Sequence, residues 1–340
     1  MVEHLDMTAL SSPPASRQVT VHAALGLRGE PFPIDPLAGA WVALPAHEAI
    51  LADVFRWLGS DDEAGTGGEP GIGVIAGAAG LGKTRLLEQL VARLAAQEDR
   101  LIGVIPDTGP RRSDAQLLRA ALQAFGGTPV GRTGLELTTE LRTLLATHAS
   151  DVREPVLLID NAALTGSQLE ILRNIFAAGP EGETPRLKVV LLGPPELADR
   201  IARRRALAGL VHVSATITPL DQEGTARLLA GRVAAMRLPE AGSAEVFSPA
   251  AMTAIWQESG GVPARIMALA RIAMLDTIAL QASRVEETVV RGLAAQMGDD
   301  LAEGSWQETA TDDTVLQTRL SLPGFEDAGI GLARRRGRQQ

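Results

Sequence analysis

The sequence predicts an α/β fold: a parallel sheet flanked on both faces by helices, followed by a small all-helical unit. Three observations carry this. Short apolar runs recur between residues 73 and 217, continuous enough for strands buried on both faces. Helical patterns separate them, the alternation of a parallel sheet with its crossover helices. After Pro219 the apolar runs stop and helical patterns take over.

Residues 1–20 are polar and proline-bearing and read as a loose tail. From Leu25 to Leu44 the chain is turn-rich. From Pro45 onward Ile50, Leu51, Val54, Phe55 and Leu58 fall at helical spacing. Residues 59–71 form a glycine-rich acidic loop. The strands expected next are GVIA (73–76), LIGVIP (101–106), PVLLID (155–160), LKVVLLG (187–193) and VHVSATI (211–217). Helices are expected between them at 83–97, 113–125, 134–148, 165–177 and 195–208, and afterwards at 221–236, 248–259 and 262–283. The chain thus divides into a tail (1–23), an α/β unit (24–219), a helical unit or lid (220–284) and a partly irregular extension (285–340).

Composition removes several classes of function. There is no cysteine, so disulfides and thiolate metal sites are excluded and the redox compartment stays open. The five histidines, His4, His22, His47, His148 and His212, are not at metal-ligand spacing. No apolar segment reaches the ~18 residues of a membrane span. The start, MVEHLDMTALSSPP, lacks the basic and apolar blocks of a signal peptide. A cytoplasmic protein without a transmembrane segment is expected. A formal net charge of −9 works against a dominant nucleic-acid surface. Aromatic residues are 3% with no tyrosine, which disfavours base-stacking platforms.

One stretch carries chemistry. GAAGLGKT, Gly77 to Thr84, fills G-x-x-x-x-G-K-S/T between an expected strand and an expected helix. The backbone of Gly77, Ala78, Ala79, Gly80, Leu81 and Gly82 can turn its N–H groups onto one anion, and the following helix adds its positive end. Lys83 would reach the β- and γ-phosphates and Thr84 would hold Mg²⁺. A second acid for the metal is Asp160, at the carboxyl end of the strand PVLLI, the edge where such sheets bind ligands. The alternative for Asp160 is a cap on the next helix. The expected ligands of this P-loop NTPase are ATP and Mg²⁺.

Around these motifs the chain resembles the AAA+ ATPases of the ExeA (GspA) secretion and pilus-assembly type, and more distantly the TniB and MuB type of transposition ATPases. The resemblance runs from about Leu25 to Leu275. It is carried by GEPFPIDPLAGAWVALPAHEAILADV, GAAGLGKT, GPRRSDAQLLRAALQAFG, VLLIDNAALTGSQLEILRNI, VVLLGPPEL and SGGVPARIMALA, in that order. It implies an ATP-driven oligomer with an α/β core and a helical lid, serving an envelope machine.

The departures from the family pattern bear on hydrolysis. Relatives carry Glu after the Mg²⁺-linked Asp; here Asn161 follows Asp160. An amide orients water but takes up no proton, and general-base help is worth ~10²–10⁴-fold. The turn that often reads G-Q-P-E-L has Pro194 at its second position. The arginines that relatives carry before the fifth strand are missing, with Arg200, Arg203, Arg204 and Arg205 just upstream. These four are a substitute arginine finger or a solvated basic face. In the lid, Ala264 stands where many relatives have Arg, and Arg265 follows as the residue expected to reach the phosphates. The resemblance also places His47 near the base. Trp41, Phe55 and Trp57 read as core or interface.

The leading expectation is a Mg-ATP-binding ATPase with slow turnover, a homo-oligomer that organises an unknown protein partner. One alternative is an ATP-dependent DNA-binding regulator, supported by the tail arginines Arg334, Arg335, Arg336 and Arg338. The other is a hydrolysis-deficient nucleotide-binding scaffold.

Overall fold

The computed structural model describes residues 21–35, 38–59, 69–97, 100–106, 113–149, 154–177, 186–242, 245–297 and 330–332. The strands are β1 (Gly71–Ala76), β2 (Arg100–Ile105), β3 (Glu154–Ile159), β4 (Lys188–Gly193), β5 (Val211–Thr216) and β6 (Ile330–Leu332). They pair in parallel in the order β5-β1-β4-β3-β2-β6. β1, β2 and β4 are buried at every residue, which explains why their sequences read as unbroken apolar runs. β5 lies at the sheet edge and alternates between exposed positions and buried or half-buried ones.

The helices that cover the sheet are α1 (Pro45–Leu58), α2 (Lys83–Ala95), α3 (Asp114–Ala124), α4 (Gly134–Ala149), α5 (Gly166–Phe176), α6 (Glu196–Ala202) and α7 (Arg205–Ala208). One hydrophobic core holds α1 and α2 against one face through Leu51, Val54, Leu86 and Leu90. The other holds α3, α4 and α5 through Leu118, Leu141 and Leu169. Ser113 with Gln116, and Thr165 with Gln168, form reciprocal capping boxes that start α3 and α5.

The helical unit contains α8 (Gln222–Ala235), α9 (Pro249–Ser259), α10 (Pro263–Ala279) and α11 (Glu287–Met297). Asp221 and Ser248 cap α8 and α9. The core of this unit is wider than its sequence boundaries suggest. Val285 and Val290 are fully buried in it, so the helical packing continues past residue 284 into α11. Leu25, Leu27, Phe32 and Leu44 also belong to it, and Phe32 meets Phe247 edge to face at 5.7 Å. The segment before α1 therefore packs with the helical unit, although in sequence it leads into the α/β unit. Hydrophobic pattern shows that a residue is buried but not which core receives it.

Two further expectations need correction. The pattern at 195–208 is two helices, because Arg204 is extended (φ −107, ψ 97) and interrupts it. Strands do not end at Pro219: Ile330 and Leu332 of β6 pair with Ile102 and Val104 on β2. Three residues are too few to show a strand period. The acidic loop at 60–68, the segment 107–112, residues 333–340 with their arginines, and His4 lie outside the described residues, as does the side chain of His148. Among the described residues no helix is long and apolar enough to cross a membrane.

Candidate functional site

The loop from Gly77 to Gly82 leaves the carboxyl end of β1 and enters α2. Gly80 and Gly82 have φ of +78 and +90, the left-handed region that side chains resist. Leu81 is buried between them in the core of α1 and α2 and anchors the loop. Ala78, Ala79 and Gly80 are exposed at its tip. Gly77 N–H donates to Gly193 O at 3.0 Å, fixing the loop's first residue to the end of β4. α2 starts at Gly82 without a side-chain cap, so its first-turn N–H groups are not claimed by one.

Lys83 folds back over this loop. Its Nζ donates to Gly77 O at 2.9 Å and Ala78 O at 2.8 Å. Burial lowers its amine below the ordinary lysine value, and the Asp160 carboxylate opposes that shift.

Asp160 follows β3 and is 4% exposed. β4 lies between β1 and β3, so this carboxylate must reach across the end of β4 to meet the loop. It does: Thr84 Oγ1 donates to Asp160 Oδ2 at 2.6 Å. Asp160 Oδ1 accepts the Asn161 N–H at 2.8 Å. Gly193 keeps the crossing clear, since a Cβ there would come within 2.5 Å of Leu197 and 3.0 Å of Ala162 O.

Thr84 and Asp160 offer hard oxygen donors beside a lysine amine and an uncapped helix start. That donor set fits a magnesium–phosphate group. The structure thus brings together Gly77, Ala78, Gly82, Lys83, Thr84 and Asp160. Asn161 is exposed and sits at φ +44, a left-handed conformation that Asn tolerates better than most residues.

The helical unit touches the loop tip through backbone. Ala264 N–H donates to Gly80 O at 3.1 Å, and a Cβ on Gly80 would lie 3.1 Å from both Ala264 Cβ and Val262 Cγ1. Arg265 is the next residue of this first turn and is half-buried. On the opposite flank His47 Cε1 is 4.0 Å from where a Cβ on Gly82 would sit. His47 is buried, lies 5.9 Å from the Trp41 ring, and is held below the usual histidine range by that burial, with Glu48 opposing. Phe55 and Trp57 are core residues.

The four upstream arginines separate into two kinds. Arg200 donates to Leu164 O, and Arg204 donates to Arg200 O at 2.8 Å; both brace the turn around α6. Arg203 and Arg205 are exposed.

Comparison with known proteins follows this geometry. Residues 66–201 match the family model described as an AAA domain. General secretion pathway protein A of Aeromonas hydrophila is 27% identical to it over 290 residues, 83% of this chain and 49% of that protein. The chain therefore spans about half the length of the curated relative it matches. Together these matches bear out the resemblance to AAA+ ATPases of the ExeA/GspA type. Solved structures with the same fold include Cdc6p from Pyrobaculum aerophilum, with a TM-score of 0.60 and 14% identity over 80% of this chain and 73% of that one. The Aeropyrum pernix ORC1 protein in complex with DNA gives 0.58 and 19%, over 80% and 70%. The ORC2 protein of the same organism, as ADPNP-ADP complexes, gives 0.58 and 14%, over 88% and 86%. At these identities the likeness shows the fold alone.

Sequence reading passed over a pair of residues beside the site. Arg85 follows Thr84, and its Nη2 donates to Gly39 O at 2.7 Å. Arg232, on α8, lies against Gly39 as well. Each is an unremarked arginine in a helical pattern, and no local signal distinguishes it from a solvated one.

Proposed function

We propose that this chain binds Mg-ATP in its P-loop, turns it over slowly and assembles into an oligomer that organises a partner machine. The observation that carries the reading is the 2.6 Å contact of Thr84 with Asp160, beside the Lys83 amine. In this reading the N–H groups of Gly80 to Thr84 cradle the phosphates, and Lys83 exchanges its loop carbonyls for phosphate oxygens. Thr84 and Asp160 hold Mg²⁺, which supplies charge neutralisation when bound. Arg265 reaches the phosphates from the helical unit. Asn161 orients water without accepting its proton.

The envelope setting is proposed from the secretion-pathway relative. A cytoplasmic location is proposed with it. Light scattering on a sizing column with ADP, ATP and a non-hydrolysable analogue, with phosphate release measured in parallel, tests the reading. Nucleotide-dependent assembly with slow release is expected. A monomer under all conditions would remove the oligomer, and absence of nucleotide binding would remove the whole reading.

A second reading is a scaffold that holds nucleotide without cutting it. It is favoured by two positions that follow Asp160 and Gly193 in the chain: Asn161, whose left-handed backbone suits Asn more than Glu, and Pro194, which offers no polar side chain. Bound nucleotide with no phosphate release at high protein concentration would select it.

A further inference from the structure

Arg232 is 6% exposed, and its Nε and Nη1 have no hydrogen-bond partner. A buried guanidinium with idle donors destabilises the fold unless something else completes it. Its charged neighbours are Arg85, which repels it, and Glu88, which attracts it. Glu88 is already paired with Arg85. Burial first, and then the Arg85 guanidinium, pull Arg232 down to about 10. The surroundings therefore hold a surplus of N–H donors and positive charge in a place screened from water.

The backbone is shaped around this side chain. A Cβ on Gly39 would come within 1.4 Å of Arg232 Nη1, so a larger residue there would displace the guanidinium from this position. The adjacent Gly231 lets α8 close on Val42, where a Cβ would sit 2.8 Å from both methyl groups.

The same segment borders the phosphate loop. Arg85, bonded to Gly39 O, directly follows Thr84, and His47 stands beside Gly82. Two other flanks of the loop are occupied. Asp160 closes one at Thr84, and Val262 with Ala264 closes another at Gly80. For a nucleotide with its terminal phosphates at Lys83 and Thr84, residues 39–47 and α8 form a side on which its remaining end can lie.

We propose that Arg232 reads the nucleoside end of the bound nucleotide, its unpartnered N–H groups donating to acceptor atoms of the α-phosphate and ribose. This rests on the P-loop reading above. It gives the helical unit a second contact with the nucleotide, through α8, separate from the first turn of α10. Closure of the two units around the ligand then depends on the nucleoside as well as on the phosphates. A free inorganic anion has the same acceptor chemistry, and the test separates the two sources.

The experiment uses the full chain with Arg232→Met and Arg232→Lys. Melting temperature is measured without ligand, and affinities for ATP, inorganic tripolyphosphate and inorganic phosphate are measured by titration calorimetry. Arg232→Met is expected to melt no lower than the parent, because it removes an unsatisfied buried charge. It is expected to bind ATP about 10- to 100-fold more weakly and tripolyphosphate unchanged. Arg232→Lys, which keeps the charge without the planar donor set, is expected to lose most of the ATP affinity while leaving tripolyphosphate alone. Unchanged ATP affinity in both variants would overturn the proposal. So would a lowered melting temperature with parallel loss of all ligands, the mark of a structural residue, or an equal loss of ATP and the inorganic anions, the mark of a free-anion site. Failure of the P-loop reading shows separately: Lys83→Ala would then leave ATP and tripolyphosphate binding intact whatever Arg232 does.

Discussion

Thr84 Oγ1 and Asp160 Oδ2 lie 2.6 Å apart, although they are 76 positions apart in the chain and β4 lies between β1, which leads to Thr84, and β3, which leads to Asp160. The contact joins the phosphate loop to the end of β3. If it marks the metal position, Asp160→Asn weakens Mg-ATP far more than ATP measured in EDTA. Titration calorimetry under both conditions checks this. Equal loss in both would make Asp160 a purely structural partner of Thr84.

Lys83→Ala removes the cation that now rests on Gly77 O and Ala78 O. One charge-assisted contact is worth about 1.5–3 kcal/mol, so ATP affinity should drop roughly 10- to 150-fold. The folded variant, verified by circular dichroism, should keep its melting temperature within a few degrees. Undiminished ATP affinity would remove the phosphate-cradle reading.

Asn161 combines a chemical and a conformational constraint. Its φ of +44 costs a non-glycine residue about 1–2 kcal/mol, and Asn is among the residues that tolerate it best. Asn161→Glu should therefore destabilise the protein modestly, while Asn161→Gly should be neutral or stabilising. If the missing carboxylate alone limits hydrolysis, Asn161→Glu raises phosphate release by up to ~10²-fold at saturating ATP. No rise, with ATP still bound, would favour the scaffold. A parent enzyme that already turns over as fast as ordinary AAA+ ATPases would show that another residue activates the water.

At the amino-terminal end of the strands Glu154 accepts from two buried cations. Arg100 is 3% exposed and Lys188 1%, and both also donate to Leu58 O at the end of α1. Glu154→Gln removes a carboxylate that both cations share and should cost about 3 kcal/mol, the low end of the range because Glu154 itself is partly solvated. Urea unfolding measures it. Adding Lys188→Met should recover part of the loss; no recovery would mean that Glu154 does not act through charge.

His47 gives the fold a pH dependence. Burial holds its folded pKa below the unfolded value of 6.5, so below that pH the unfolded chain binds more protons at this site than the folded one. Stability from His47 is complete above pH 6.5 and declines as pH falls toward the lower folded value. Thermal melts between pH 8 and 5 should show a drop that His47→Gln reduces. Identical pH profiles for the two proteins would assign the drop to other groups.

Much of this architecture was legible in the sequence, for a local reason. Strands buried on both faces have to be apolar throughout, so GVIA, PVLLI and KVVLL announce a covered parallel sheet. A backbone anion cradle needs glycine at set intervals before a lysine and a hydroxyl, a spacing that Gly77 to Thr84 fills. Asp160 follows from being polar at the end of such a strand. What only the tertiary structure decided depends on segments meeting from far along the chain. Sequence could not assign Phe32 to the helical core, because apolar pattern does not name a partner, nor reveal the left-handed backbone at Asn161. Least visible was Arg232: its character comes from the closure of residues 39–42, α2 and α8 around it, and burial without a partner is a property of that three-way junction, not of an arginine in a helix.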